Sequence, residues 1–245
     1  MGVVSLRLLG VGTAQELRVS QARGRAVVAI DTLRAATTAA AALASGALAV
    51  RPVAEVEAAF ALRGALPNAV LGGERAMRAV PGFDAGNSPR DYPPGLVAGR
   101  EVILTTTNGT LALGRAHAAG ALAFAALTSA PLAAQWLLAQ DAAEALVVMS
   151  GTDGHFAYED ALTAGLIASA LPAAELDDLM LTALAAYEAR RGALRAALMA
   201  TPHGRRLVAA GFAEDIDRAA AAGASPVLPV RDSADRARLI AWQPS

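Results

Sequence analysis

Asp31 closes an apolar run, Ala26 to Asp31, and Arg34 follows three residues later. A carboxylate at the end of a buried strand is costly unless it meets a cation or a hydrogen-bond donor. Asp31 is therefore a helix cap, a partner for Arg34 or a metal ligand. A second polar group is Thr105 to Thr110, reading Thr-Thr-Thr-Asn-Gly-Thr. Glycine lets backbone amides approach an anion, and a helix start favours negative charge. Thr107, Asn108, Gly109 and Thr110 thus suit a cradle for phosphate or sulfonate, although Thr and Asn also cap helices. A third group comes from Gly72-Gly73-Glu74-Arg75 and Gly82-Phe83-Asp84-Ala85-Gly86-Asn87-Ser88-Pro89, which place Glu74, Arg75, Asp84, Asn87 and Ser88 in one irregular region. Hard oxygen donors of this kind suit magnesium, which takes one or two carboxylates and completes its shell with water and phosphate. A charged surface loop is the alternative. Glu159 and Asp160 are adjacent and point in different directions on a helix, so one of them reaches the site. The histidines, His117, His155 and His203, have no metal-ligand spacing to one another.

The composition excludes several chemistries. There is no cysteine, hence no disulfide, thiolate nucleophile or sulfur-ligated metal. Every basic residue other than histidine is arginine, which removes a Schiff-base lysine and a Walker lysine. The signatures of covalent phosphatases and of a serine nucleophile elbow are missing too. A formal net charge of −1 without a basic cluster argues against a nucleic-acid or membrane surface, and points to a small anionic ligand. The start, Met1 to Gly10, lacks the basic region and apolar block of a secretion signal, and no long uncharged apolar stretch follows. A cytoplasmic location is the expectation, and a homodimer is compatible with the sequence.

These residues must be held by an alternating framework. The strand Ala26 to Asp31 leads to a helix over about 35–45 that Gly46 can cap, a strand Ala47 to Val50 and a helix from about Val53 to Arg63. The same order recurs as a strand Glu101 to Thr105, a turn Thr106 to Gly109, a helix to Ala119, a strand from Ala121 and a helix Pro131 to Gln140. The tetrapeptide Gly46-Ala47-Leu48-Ala49 returns as Gly120-Ala121-Leu122-Ala123. Aligned on it, Asp31 matches Thr105, Arg34 matches Asn108 and Ala35 matches Gly109, which suggests two intertwined repeats, about 26–70 and 101–145. A further strand, Ala145 to Ser150, enters a loop Gly151 to Gly154 and a helix Tyr158 to Leu171. Between the repeats, Gly72 to Gly99 reads as a long irregular segment, the kind that is usually functional. The remainder reads as helical to about Ala222, with strands at Pro226 to Val230 and Ala237 to Trp242. The expected fold is a layered α/β/α domain over 1–245 with a mostly parallel or mixed sheet. In such sheets the ligand crevice lies at the carboxyl ends of the strands, where Asp31, Arg34, the Thr106 turn, Thr152 and Asp153 fall.

Taken in order, the segments Ile30-Asp-Thr-Leu-Arg-Ala-Ala-Thr-Thr38, Gly72 to Arg75, Gly82 to Pro89, Thr106 to Thr110 and Glu159-Asp160 with Ala164-Gly165 resemble the 2-phosphosulfolactate phosphatase family, the ComB-like proteins of sulfolactate and coenzyme M biosynthesis. A weaker echo is His203-Gly-Arg-Arg-Leu207 with Gly211-Phe212 and Asp215-Ile216. The resemblance implies magnesium-dependent hydrolysis of (R)-2-phospho-3-sulfolactate to 3-sulfolactate and phosphate. This chain departs from the family pattern at Thr32, where Val is usual, and near Ala36, where Thr or Ser is usual.

Combining the residues with the resemblance, Asp31 with one or more of Glu74, Asp84 and Asp160 is expected to hold magnesium. Arg34 and Arg75, with Arg90 a further candidate, are expected to clamp anionic oxygens. Asn87, Ser88, Thr107 and Gly109 would bind substrate, and Asn108 and Thr110 would stabilise the transferred phosphoryl group. The alternatives are a magnesium phosphatase of another phosphorylated hydroxy acid and an anion-binding protein without turnover.

Overall fold

The computed structural model describes residues 6–244. Eleven strands form one mixed sheet: β1 (Arg7–Val11), β2 (Ala26–Ile30), β3 (Ala49–Pro52), β4 (Val70–Arg75), β5 (Arg78–Ala79), β6 (Glu101–Thr105), β7 (Ala121–Ala125), β8 (Glu144–Met149), β9 (Glu175–Leu176), β10 (Leu228–Arg231) and β11 (Leu239–Trp242). Their order is β5-β4-β6-β3-β11-β10-β7-β2-β8-β1-β9. On one side β2 runs parallel to both β7 and β8, and on the other β6 runs parallel to both β3 and β4. The antiparallel hairpin β10–β11 joins the two sides. The order β4-β6-β3 and the order β7-β2-β8 interchange when β2, β3 and β4 are replaced by β6, β7 and β8. Each β-α-β-α unit thus lends its first strand to the middle of the other unit's pair.

Strand alternation sends residues to opposite faces. Val28 and Ile30 of β2 join a core with the helices Ala130–Ala139, Tyr158–Ser169 and Asp178–Arg190, whereas Val27 and Ala29 join a central core. That central core also takes Val50 of β3, Val70 of β4, and Val102 and Leu104 of β6, so the two halves of the sheet share it. Helices Ala35–Ala44 and Gly109–Arg115 pack into it through Ala39, Leu43, Ala112 and Leu113. On the far side, Ile103 and Leu71 meet Ala59 of the helix Val56–Ala65. The join at the hairpin is narrow, with Val230 opposite Ala123 and Leu239 opposite Val50.

Several local expectations shift. The start of the chain, read above only for the features of a secretion signal, contains β1, with residues 1–5 outside the described region. The segment read as irregular from Gly72 contains the end of β4, the short β5 and two brief helical turns, Pro89–Asp91 and Pro94–Val97. Its two glycines conceal the strand, because glycine has low strand preference. The helix after the Thr106 turn ends at Arg115, earlier than the expected Ala119. Among the described residues no helix is long and apolar enough to cross a membrane.

Candidate active site

The carboxyl ends of β2 and β6 open on one cavity of about 330 Å³. Asp31, immediately after β2, is buried, and its Oδ1 accepts the Ala35 amide at 3.0 Å. Its Oδ2 faces Gly109, where a Cβ would lie 2.8 Å away. Gly109 is therefore needed for close approach of the second turn to Asp31. Burial pushes the Asp31 carboxyl up to about 7; the Ala35 amide opposes this, while the charges of Glu74 and Glu159 add to it.

Arg34 shares the cavity wall, with its guanidinium fixed from behind. Nη1 donates to Asp215 Oδ2 at 2.6 Å, and the guanidinium lies 4.2 Å from the ring centroid of Phe212. Both charged side chains are almost fully removed from solvent, at 3% and 0% exposure. Asp215 Oδ1 also accepts Ser88 Oγ at 2.6 Å and Arg90 Nε at 3.2 Å. Removing one member of such a buried pair costs about 3–5 kcal/mol, because the other charge is left uncompensated.

Glu74 reaches the cavity from the end of β4. Gly73 makes this possible: its φ is +140°, and a Cβ there would fall 2.0 Å from the Thr105 carbonyl oxygen. Glu74 Oε1 accepts from the Thr107 amide and hydroxyl at 3.3 and 3.1 Å, and Oε2 accepts the Met77 amide at 2.9 Å. Thr106, Thr107, Asn108 and Asn87 complete this side of the cavity. Asn87 is buried and its Oδ1 has no hydrogen-bond partner among the described residues.

Other candidates are directed elsewhere. Thr110 Oγ1 donates to the Thr106 carbonyl and its amide to Thr106 Oγ1, so it secures the helix start behind the cavity. Arg75 donates to the carbonyls of Glu74 and Ala54 and does not line the cavity. Ser88 and Arg90 brace Asp215. Asp84 pairs with Arg63 at 2.7 Å and accepts the Leu71 amide at 2.8 Å. Partial burial acts to raise its pKa, yet that amide and the Arg63 guanidinium hold it below the usual carboxylate range. Asp160 lies behind the site, where Oδ1 accepts the Thr32 amide at 2.9 Å and Oδ2 the Gly151 amide at 3.1 Å, tying the loops after β2 and β8 together. Burial raises its carboxyl well above the usual range, and the charges of Asp31 and Glu159 add to the shift. Thr32, the departure from the family pattern, is explained locally: its hydroxyl donates to the Glu159 carbonyl at 3.2 Å and pairs with Thr163 Oγ1 at 2.7 Å.

The structure adds residues that spacing did not single out. The helix Pro202–Ala209 places His203 and Arg206 on the cavity wall, opposite Thr152 and Asp153. Burial, reinforced by Arg206 and Arg34, pulls the His203 imidazole down to about 4. Phe212 and Asp215 come from the turn and helix that follow. Their only trace in the sequence was the faint echo at 203–207, 211–212 and 215–216.

Among the described residues no three His, Cys, Asp or Glu side chains are arranged to hold one metal ion by themselves. The four acids expected around magnesium are thus divided, with Asp31 and Glu74 on the cavity and Asp84 and Asp160 away from it. Two carboxylates match the protein share of a magnesium shell that water and phosphate complete. Burial raises the Asp31 carboxyl although Arg34 opposes the shift, and a divalent ion bound there would favour the charged form further. The donor set fits the ion.

A family model described as 2-phosphosulpholactate phosphatase matches residues 12–234. A protein of Carboxydothermus hydrogenoformans named probable 2-phosphosulfolactate phosphatase is 39% identical over 213 residues, covering 86% of this chain and 88% of the relative. A Deinococcus radiodurans protein of the same name is 41% identical over 206 residues, covering 82% and 85%. One of Symbiobacterium thermophilum is 35% identical over 229 residues, covering 91% and 96%. With a family model matching residues 12–234 and these relatives 35–41% identical over most of their length, the chain belongs to the 2-phosphosulpholactate phosphatase family.

Proposed function

We propose that this chain is a magnesium-dependent phosphatase that hydrolyses (R)-2-phospho-3-sulfolactate to 3-sulfolactate and inorganic phosphate. Family membership supports the phosphatase and its substrate. The single observation that carries the site is the meeting, in one cavity, of two carboxylates, Asp31 and Glu74, with the guanidinium of Arg34 and the amide side chain of Asn108.

In this reading Asp31 and Glu74 would hold magnesium, which when bound would offset phosphoryl charge and help to activate the attacking water. Arg34 gives one of its five N–H donors to Asp215 and offers others to the phosphoryl oxygens. Because Asp215 and Phe212 already fix the guanidinium, little ordering remains to be done on binding. Asn108 donates to oxygens whose charge changes in the transition state. Water adds to phosphorus, the bond from phosphorus to the C2 oxygen breaks, and that oxygen leaves as the sulfolactate hydroxyl with a proton released by the attacking water. Phosphoryl transfer relies on positioning and electrostatics, so the lack of a strong protein nucleophile is no obstacle.

The test is phosphate release from phosphosulfolactate and a panel of phosphorylated hydroxy acids, with magnesium and with chelator. Release from phosphosulfolactate in preference to the panel, abolished by chelator and restored by magnesium, is expected. Release unaffected by chelator would remove the metal, a better substrate in the panel would replace the proposed one, and ligand-dependent stabilisation without product would leave a binding protein.

A further inference from the structure

A second cavity, of about 660 Å³, adjoins the first. Thr152, Asp153, His203 and Arg206 line both and form the common wall. The partition between them is an ion pair, Arg206 Nη1 to Asp153 Oδ2 at 2.9 Å, with side chains 46% and 60% exposed. Ion pairs this exposed are weak and open readily. Arg34 offers the contrast, since its partner Asp215 is fully buried and additionally held by Ser88 and Arg90. Asp153 is presented by a loop in which Gly151, Asp153 and Gly154 all have positive φ, at 71°, 53° and 80°. Arg206 is steadied on its other side by His203, whose Nδ1 lies 3.2 Å from Nη2.

We propose that Arg206 selects for the sulfonate of the substrate, and that Asp153 occupies the place of that sulfonate while the site is empty. The inference rests on the hydrolase reading above and extends it to substrate choice. In phosphosulfolactate the phosphate and the carboxylate are both borne on C2, whereas the sulfonate stands one methylene further out. In the proposed pose the phosphoryl group lies beside Asp31 and Glu74 and the sulfonate, one methylene beyond C2, points to the common wall where Arg206 stands. A sulfonate oxygen can take the place of Asp153 Oδ2 on Arg206 Nη1, so one anion can replace the other on Arg206. Arg75 and Arg90, which the sequence offered for this task, line neither cavity. The outer cavity adds Arg205, beside the buried acid Glu159.

Opposite substitutions across this ion pair separate the proposal from a structural role. Phosphate release is measured on phosphosulfolactate and on 2-phospholactate, which has the phosphate and carboxylate but no sulfonate. Arg206→Gln should raise KM at least about tenfold for phosphosulfolactate and little for phospholactate. Asp153→Asn removes the internal competitor and should lower KM for phosphosulfolactate, the reverse sign from the other half of the same ion pair. Equal losses on both substrates with Arg206→Gln, or a rise in KM with Asp153→Asn, would overturn the assignment. Calorimetric binding of 3-sulfolactate and of lactate provides an arm that needs no turnover. Wild type should prefer sulfolactate and Arg206→Gln should lose that preference, whereas an unchanged preference would overturn the role of Arg206. If wild type binds sulfolactate in this way yet releases no phosphate, the hydrolase reading fails while the sulfonate contact stands.

Discussion

After β2 the chain sets Asp31 and Arg34 before a helix, and at the end of β6 and just beyond it, at the matching positions of the other β-α-β-α unit, it sets Thr105 and Asn108. The two turns end on the same cavity, yet they are supported differently. The β2 turn is charged and buried, and distant segments hold it: Asp160 binds the Thr32 amide, while Asp215 and Phe212 fix Arg34. The β6 turn is uncharged and nearer to solvent, and its own Thr110 closes it onto Thr106. Its carboxylate is lent by Glu74 of the neighbouring strand β4. One strand-to-helix junction therefore supplies either a charge centre or a hydrogen-bonding surface. The choice depends on whether remote elements can satisfy buried charge, because an unpaired buried ion is too costly to keep.

The strongest way to break this comparison is to remove the charge of the β2 turn. Asp31→Asn should lower phosphate release by a factor on the order of a thousand, comparable to losing a principal electrostatic group. The folded protein should melt no lower than wild type in metal-free buffer, since burial already disfavours the Asp31 charge. Near-normal turnover would show that charge at this junction is dispensable.

A smaller effect is expected at the β6 turn, and it should divide between two neighbours. Asn108 lines the cavity, so Asn108→Ala should lower kcat by about tenfold or more with little change in stability. Among the described residues the Thr110 hydroxyl is bonded to its own turn, so Thr110→Ala should cost about 1 kcal/mol of stability and leave kcat within a few-fold of wild type. Steady-state kinetics with urea titration distinguishes them. A large kcat loss at Thr110 would mean that the turn must be held rigid for chemistry.

The smallest effect sharpens the role of the C-terminal helices that back the charged turn. His203 is protonated only below about 4 in the folded protein, against 6.5 for an ordinary histidine. As pH falls from about 6.5 to 4, the unfolded chain takes up a proton that folded His203 does not, so this group's contribution to stability is lost across that window and levels off below it. His203→Gln should lack that part of the acid slope. Urea midpoints of the two proteins at matched pH should therefore converge or cross in the variant's favour between pH 6.5 and 4, and parallel curves would place His203 in contact with solvent.

Much of the framework was legible before any coordinates. Apolar runs ending at Asp31 and Thr105, alanine-rich helical stretches and the glycines after them place the strand-to-helix junctions, because periodicity and capping are local properties of the chain. The ordered motifs identified the family, and Asp31, Arg34, Glu74, Asn87, Thr107 and Asn108 do line one cavity. Side-chain direction was not legible. Arg75 and Asp84 sit in the same motifs as Glu74 and Asn87 yet turn to Ala54 and Arg63, since motif membership does not say which way an irregular loop aims its members.

What the sequence by itself determined is the succession of elements, the chemistry available at each strand end and the exclusion of lysine and cysteine chemistry. Only the tertiary structure decided that β2 is inserted between β7 and β8 and β6 between β3 and β4, which brings turns 74 residues apart in the chain to one cavity. It also decided that Arg206, Phe212 and Asp215 arrive there from the far end of the chain. The physical reason is that strand order and helix docking follow from burying two faces of one sheet at once, a requirement summed over the whole core that no local window of residues contains.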